Sequence, residues 1–223
     1  MKWIFDRGMA LIGLLVLWPV LLIVAILIRV KMPGGPVIFR QKRVGLHGDL
    51  FTVYKFRSMT VSHGGNSVSV AGESRITPLG AKLRKYKLDE LPELWNVLIG
   101  DMSFVGPRPD VPGYADKLKG EDRLVLELRP GITGLATLKY RDEENLIADF
   151  LQQVKELKSE KVKELYTAVD FSSMSDEEIA LWYNDNVIYP DKVKINLDYY
   201  RNHSLFGDLK LIIETVLPGS MNL

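Results

Sequence analysis

Apolar and polar positions divide the chain sharply. From Met9 to Ile28 the sequence is uncharged for 20 residues and rich in Leu, Ile and Val. About 20 apolar residues is the length that crosses a bilayer as a helix. The run is too long for an ordinary signal peptide and lacks a cleavage-site pattern. Pro19 stands in its middle, where the ring removes a helix hydrogen bond and bends the chain. Lys2 and Arg7 precede the run, and Arg29 and Lys31 follow it. Basic flanks at both ends favour keeping both on the cytoplasmic side. A helix that enters the membrane, bends at Trp18-Pro19 and returns satisfies both features. A kinked single span is the alternative, since spanning helices tolerate proline.

Beyond the turn cluster Met32-Pro-Gly-Gly-Pro36 the pattern shortens. Val37 to Arg40 and Leu50 to Phe56 read as strands of a hairpin around Gly45-Leu-His-Gly48. Ser62 to Gly72, rich in Gly and Ser, reads as a loop and does not match a Gly-Lys-Ser/Thr phosphate loop. Thr77 to Tyr86 reads as a helix with Leu79 and Leu83 on one face and Lys82, Arg84 and Lys85 on the others. Such a helix suits a membrane surface or an ordinary protein core equally. Asn145 to Val169 reads as a polar helical region without a broad apolar face, a solvated helix or partner surface. Leu205 to Leu217 carries apolar residues at helical spacing, suited to packing on the domain or the membrane. The fold class expected is α+β and mostly helical: a membrane helix over 1–31, then a membrane-associated catalytic domain over 32–223 with a small hairpin and amphipathic interfacial helices.

Charge sharpens this division. Between Arg29 and Thr60 there are seven Lys/Arg and one acid, a balance of +6; between Asp142 and Asp185 there are four Lys and twelve acids, −8. A basic stretch beside an apolar segment suits anionic headgroups or phosphate ligands, and no nucleic-acid partner is expected. The acidic stretch belongs away from both. Without cysteine there is no disulfide frame and no thiolate metal site. His47, His63 and His203 match no metal motif and read as surface residues.

The chemistry concentrates in Lys87-Leu-Asp-Glu-Leu-Pro-Glu-Leu-Trp-Asn96 and Gly106-Pro-Arg-Pro-Asp110. Pro92 suits the first turn of a helix whose apolar face is Leu91, Leu94, Trp95 and Leu98. Asp89 and Glu90 then lie at or just before its N-terminus, where the helix dipole favours ionised carboxylates. Alone, this is also what simple capping looks like. Gly106-Pro107-Arg108-Pro109, however, holds one arginine between two rigid prolines, suited to bidentate phosphate recognition. Arg129-Pro-Gly131 repeats the idea, and Lys55 and Arg57 share one face of a strand. Cations around a carboxylate pair suit a reaction on a diphosphate, with a carboxylate-held magnesium ion neutralising the remaining charge.

In order, Phe5-Asp-Arg7, the Pro19 helix, Pro36 to Gly45, Tyr54-Lys-Phe-Arg-Ser-Met59, Asp89 to Asn96, Gly106-Pro-Arg-Pro109, Arg129 to Gly134 and Lys194 to Val216 resemble the monotopic polyprenyl-phosphate phosphoglycosyl transferases, also called bacterial sugar transferases. Each motif is weak alone; the ordered set is specific and covers most of the chain. The resemblance implies a re-entrant N-terminal helix broken at Trp18-Pro19. It implies transfer of a sugar 1-phosphate from a UDP-sugar to a polyprenyl phosphate with release of UMP, the first membrane step of a bacterial glycan pathway. Asp89 would be the nucleophile, forming a phosphosugar-aspartate, and would hold Mg2+; Glu90 would assist as base or by positioning the acceptor. Arg108, Arg129, Lys55 and Arg57, with Pro107 and Pro109 framing Arg108, become phosphate-binding candidates. The place implied is the cytoplasmic face of the bacterial inner membrane, with phospholipid, a second copy or downstream glycosyltransferases as partners.

The chain departs from the family pattern in three ways. Trp18 stands where a small residue is common, the familiar continuation stops after Gly134-Leu-Ala136 so that about 140–185 looks like a helical insertion, and the spanning helices of larger members are missing, as in a minimal catalytic form. A membrane scaffold docking partners on the acidic segment, and a lipid phosphatase using the same carboxylate and metal, are competing readings. The intact Asp89-Glu90 pair with its arginines argues against the scaffold, and the reaction products would separate the phosphatase.

Overall fold

A computed structural model describes residues 2–61, 75–156 and 169–217; the expected 62–72 loop, and residues 157–168 of the expected 145–169 helical region, lie outside them. The apolar run is the heart of a 30-residue helix, α1 (Lys2–Lys31), with Pro19 inside it. Asp6, Ala10, Val24 and Ile28 are buried, on a single stripe four residues apart at each end. At one end Ala10 packs with Val53, Val97 and Met102; at the other, Val24 and Ile28 pack with Met32, Phe56 and Leu83. Polar contacts pin the N-terminal end. Asp6 accepts a 2.7 Å bond from Ser103 Oγ, Arg7 donates to Ile99 O at 2.8 Å, and Lys2 pairs with buried Asp208. The far side of α1 presents Leu11, Ile12, Leu15, Val16, Trp18, Leu22, Ile23 and Ile26 as bare apolar surface.

The hairpin forms as β1 (Ile38–Val44) against β2 (Leu50–Phe56), antiparallel from Ile38↔Phe56 to Val44↔Leu50. β1 thus runs past Arg40, the expected end. Its polar Gln41 to Arg43 carry no apolar alternation, and pairing with β2 recruits them. α2 (Pro78–Lys85) begins at Thr77, whose hydroxyl accepts a 2.9 Å bond from Gly80 N. Leu83 and Leu79 pack on α1, so this amphipathic helix faces protein. A Cβ at Gly80 would stand 1.8 Å from Ser58 O, so the close approach of α2 to the chain after β2 requires glycine.

α3 (Glu93–Ile99) follows a 3-10 turn at Leu88–Glu90 and ends on Gly100 in the left-handed region. Leu94 and Val97 are buried, but Trp95 is half exposed, contrary to the expected apolar face. Glu93 and Asn96 take the inward positions instead. The Asn96 side chain accepts from Tyr54 N at 3.1 Å and donates to Thr52 O at 2.7 Å, satisfying the free edge of β2.

A second sheet was not legible in the pattern: β3 (Ser103–Val105) pairs in parallel with β4 (Gly131–Thr133). Short helix α4 (Leu135–Lys139) then leads to α5 (Glu143–Glu156), α6 (Asp176–Tyr183), α7 (Tyr189–Asn202) and α8 (Leu205–Val216). α5 corrects the expectation of a helix without an apolar face. Ile147, Phe150 and Leu151 sit at helical spacing and form a cluster with Phe171, Ile179, Ala180 and Ile188. Three buried positions and the partly buried Val154 make that stripe, and the surrounding charged and polar residues obscure it. α8 packs Leu211 against Val105 and Tyr199, with its Leu205, Phe206, Leu209 and Ile213 exposed.

Candidate active site

Lys87 sits in the left-handed region at φ 54°, a costly conformation for a residue with a side chain. It turns the chain from the end of α2 into the Leu88–Glu90 turn. Asp89 and Glu90 therefore precede α3, as the Pro92 argument expects, and both are buried.

Lys55, on β2, reaches Glu90 Oε1 at 3.1 Å and Glu93 Oε1 at 2.9 Å. The Glu93 contact lies off the hydrogen-bonding direction and is an ion pair only. Arg108 Nη2 donates to the same Glu90 Oε1 at 2.8 Å. Arg108 keeps 44% of its side chain exposed, so the pair stands at an open surface and its cation remains available to a ligand. Its loop is held from behind by backbone. Gly131 N donates to Pro107 O at 2.8 Å, Gly106 N to Thr133 O at 2.9 Å, and Arg43 Nη1 to Pro109 O at 3.2 Å. A Cβ on Gly131 would lie 2.2 Å from Gly106 N, so the Gly106-Pro-Arg-Pro and Arg129-Pro-Gly segments meet where only glycine fits.

The neighbouring carboxylates differ electrically. Burial raises the Asp89 pKa above the usual carboxylate range and the charge of Glu90 raises it further, against Lys55 and Lys87. Burial pushes Glu90 the same way, but Arg108 and Lys55 outweigh it and hold Glu90 well below that range. Burial also raises Glu93, which lies almost wholly inside. Asp89 Oδ1 is buried and has no hydrogen-bond partner. A buried carboxylate oxygen left unpaired is costly, and it is free to attack or to bind a cation. Among the described residues no three His, Cys, Asp or Glu converge on a metal position. Magnesium commonly uses only one or two carboxylates with waters and substrate phosphates. Lys55, Lys87 and Arg108 stand against the three carboxylates, and the oxygen left for a cation is the unpaired Oδ1 of Asp89.

The expected site residues divide. Asp89, Glu90, Lys55 and Arg108 come together, framed by Pro107 and Pro109. Arg57 is buried and donates to Met32 O at the end of α1. Arg129 donates Nε to Gly100 O at 3.0 Å, at the end of α3. Trp18 and Pro19 lie on the exposed side of α1. Sequence reasoning missed Glu93, although its place three residues after Glu90 put it one helical turn on. It also missed Asp110, whose burial pushes its pKa up to about 6 beside Arg43, Lys192 and Arg108.

A family model described as bacterial sugar transferase matches residues 1–179. The chain is 33% identical over 218 residues to a UDP-glucose:undecaprenyl-phosphate glucose-1-phosphate transferase of Xanthomonas campestris pv. campestris, covering 95% of this chain and 37% of that protein. It is 44% identical over 148 residues to an exopolysaccharide production protein, PSS, of Rhizobium leguminosarum bv. phaseoli, covering 62% of this chain and 74% of that one. It is 40% identical over 144 residues to a UDP-N-acetylgalactosamine-undecaprenyl-phosphate N-acetylgalactosaminephosphotransferase of Aeromonas hydrophila, covering 60% of this chain and 34% of that one.

Proposed function

We propose, because this chain belongs to the bacterial sugar transferase family, that it transfers a sugar 1-phosphate from a UDP-sugar to a polyprenyl phosphate at the cytoplasmic face of the bacterial inner membrane. The relatives named for glucose 1-phosphate and N-acetylgalactosamine phosphate transfer to undecaprenyl phosphate support this donor and acceptor class. The observation that carries the chemistry is the unpaired, buried Oδ1 of Asp89 beside a Glu90 already held by Lys55 and Arg108.

Asp89 attacks the phosphorus that bears the sugar. The bond from that phosphorus to the bridging oxygen breaks, UMP leaves with the bond's electrons, and a phosphosugar-aspartate remains. An oxygen of the polyprenyl phosphate then attacks the same phosphorus, and Asp89 departs as a carboxylate. Arg108, open on one side, binds the phosphoryl oxygens as charge builds on them. Lys55 holds Glu90 ionised, which makes Glu90 a weak base and suits it to holding Arg108 in place for the acceptor phosphate. Mg2+ bound at Asp89 would neutralise diphosphate charge and favour the ionised carboxylate that burial disfavours.

Both ends of α1 dock on one domain, through Asp6–Ser103 and Lys2–Asp208 at one end and the Ile28–Phe56 cluster at the other. A straight span perpendicular to the membrane would put about 45 Å between those ends and carry one away from the domain. The arrangement supports re-entrant insertion. Labelling an N-terminal tag in intact cells should find it shielded; periplasmic labelling would discard this topology.

UMP release tests the reaction. Solubilised protein with Mg2+, a short polyprenyl phosphate and a panel of UDP-sugars should release UMP for a preferred donor, and chelation should stop it. Sugar 1-phosphate released beside UMP, with no sugar-bearing polyprenyl diphosphate formed, would mean hydrolysis instead of transfer.

A further inference from the structure

Where α1 ends, a cavity of about 280 Å³ opens among Lys31, Met32, Arg57, Thr60, Val61 and Thr77. Arg57 is 6% exposed. One guanidinium nitrogen, Nη2, donates to Met32 O, while Nε is buried with no partner. Among the described residues none that lines the cavity is acidic. A buried guanidinium without a counter-charge is costly, and Lys31 at the rim adds to the positive field. A Cβ at Gly35 would fall 2.0 Å from Arg57 Nη1, so the Pro-Gly-Gly-Pro turn leaves the guanidinium its place.

Two further features identify the ligand's class. The cavity lies at the basic end of a bare apolar helix, with Arg29 and Lys31 in the last turn, which is headgroup depth for an inserted α1. Its walls combine the hydroxyls of Thr60 and Thr77 with Met32, Met59 and Val61, a lining for an amphiphile. Arg57 N bonds to Val37 O at 2.9 Å, continuing the β1–β2 ladder. The Cα of Arg57 therefore stands two extended residues, about 6.5–7 Å, from that of Lys55, which reaches the carboxylate centre.

We propose that this cavity binds the phosphate head of a membrane lipid on Arg57 and Lys31, with the chain leaving along α1. The same chemistry would take the phosphate of a polyprenyl phosphate or of an anionic phospholipid. The assignment rests on the membrane-lipid reading above but not on the transfer reaction.

Full-length protein in detergent is titrated with a short polyprenyl phosphate, with the corresponding neutral polyprenol, and with phosphatidylglycerol, and bound lipid is counted by native mass spectrometry. Wild type should bind the polyprenyl phosphate and not the polyprenol. Arg57→Gln should weaken binding at least about tenfold, the loss expected for a charge-assisted phosphate contact. Thr60→Glu, at an exposed rim position, should do the same by repulsion, and decides the matter if Arg57→Gln does not fold. Competition by phosphatidylglycerol at similar concentration supports the site and assigns it to phospholipid; failure to compete supports it as the acceptor site. Wild-type binding by folded Thr60→Glu, or equal binding of the polyprenol, overturns the proposal. Asp89→Asn protein should bind lipid normally, and wild-type protein that binds lipid but releases no UMP from any donor would count against the transfer reading and leave this site standing.

Discussion

Two regions of this molecule are held together by opposite means. The unit around α5 and α6 is organised by apolar contact. Phe150 stacks on Tyr183 with ring centroids 4.1 Å apart and meets Phe171 edge-on at 5.9 Å, while its charges lie outside in pairs such as Lys192–Glu143. The centre around Leu88–Glu90 has charge in its interior: Asp89, Glu90 and Glu93 are buried, and Lys55 and Arg108 pair with the glutamates but leave Asp89 Oδ1 without a partner. The first region minimises its own free energy; the second keeps groups in states that stability alone would not choose. A polar interior with an unpaired oxygen is where a ligand can supply what the protein withholds.

The contrast is most easily broken at Asp89. Asp89→Asn is nearly isosteric, and turnover should fall at least about a thousandfold as the nucleophile is lost. Its melting temperature should hold or rise, since a buried charge is gone; a folded variant with wild-type UMP release removes Asp89 from the chemistry. In the apolar unit, Phe150→Ala should cost about 3–5 kcal/mol on denaturant unfolding, with activity per folded molecule retained. If that activity fell in step with stability, the two regions would not be separable.

Smaller effects sharpen the picture. Arg108→Lys keeps the charge but loses the planar fork, and should lower kcat/KM about tenfold with little change in unfolding free energy. The smallest effect concerns pH. The Asp89 pKa is raised by burial and by Glu90, so the acid limb of kcat/KM should lie above the range of a free aspartate, about 3.9. Glu90 is depressed by Arg108 and Lys55, so its contribution to stability is present above the usual glutamate value, about 4.3, and is lost as pH falls toward its lowered one. Acid unfolding of Glu90→Gln should lack that component, and an unchanged profile would mean the ion pairs contribute nothing net.

Local patterns reach far in this chain. Hydrophobicity alone located α1, the spacing of Leu79 and Leu83 located α2, and Pro92 located the turn that presents Asp89 and Glu90. Each depends on residues within a few positions of one another, where backbone sterics and spacing suffice. The apolar face of α5 was already harder to see, because three buried residues among charges leave little contrast.

The chain by itself determined that Asp89, Glu90, Lys55 and Arg108 are the candidate groups and that an apolar helix leads the domain. Only the tertiary structure decided how they are used. The parallel pairing of Ser103–Val105 with Gly131–Thr133 joins segments more than twenty residues apart, and a three-residue strand has no periodicity to announce it. That pairing aims Arg108 at Glu90. Likewise, Lys55 meets Glu90 and Glu93 only because β2 crosses α3, and the depressed Glu90 and raised Asp89 follow from that meeting and from burial. Adjacent carboxylates are equivalent in a sequence; dielectric and distance, which only the packed chain supplies, make them different.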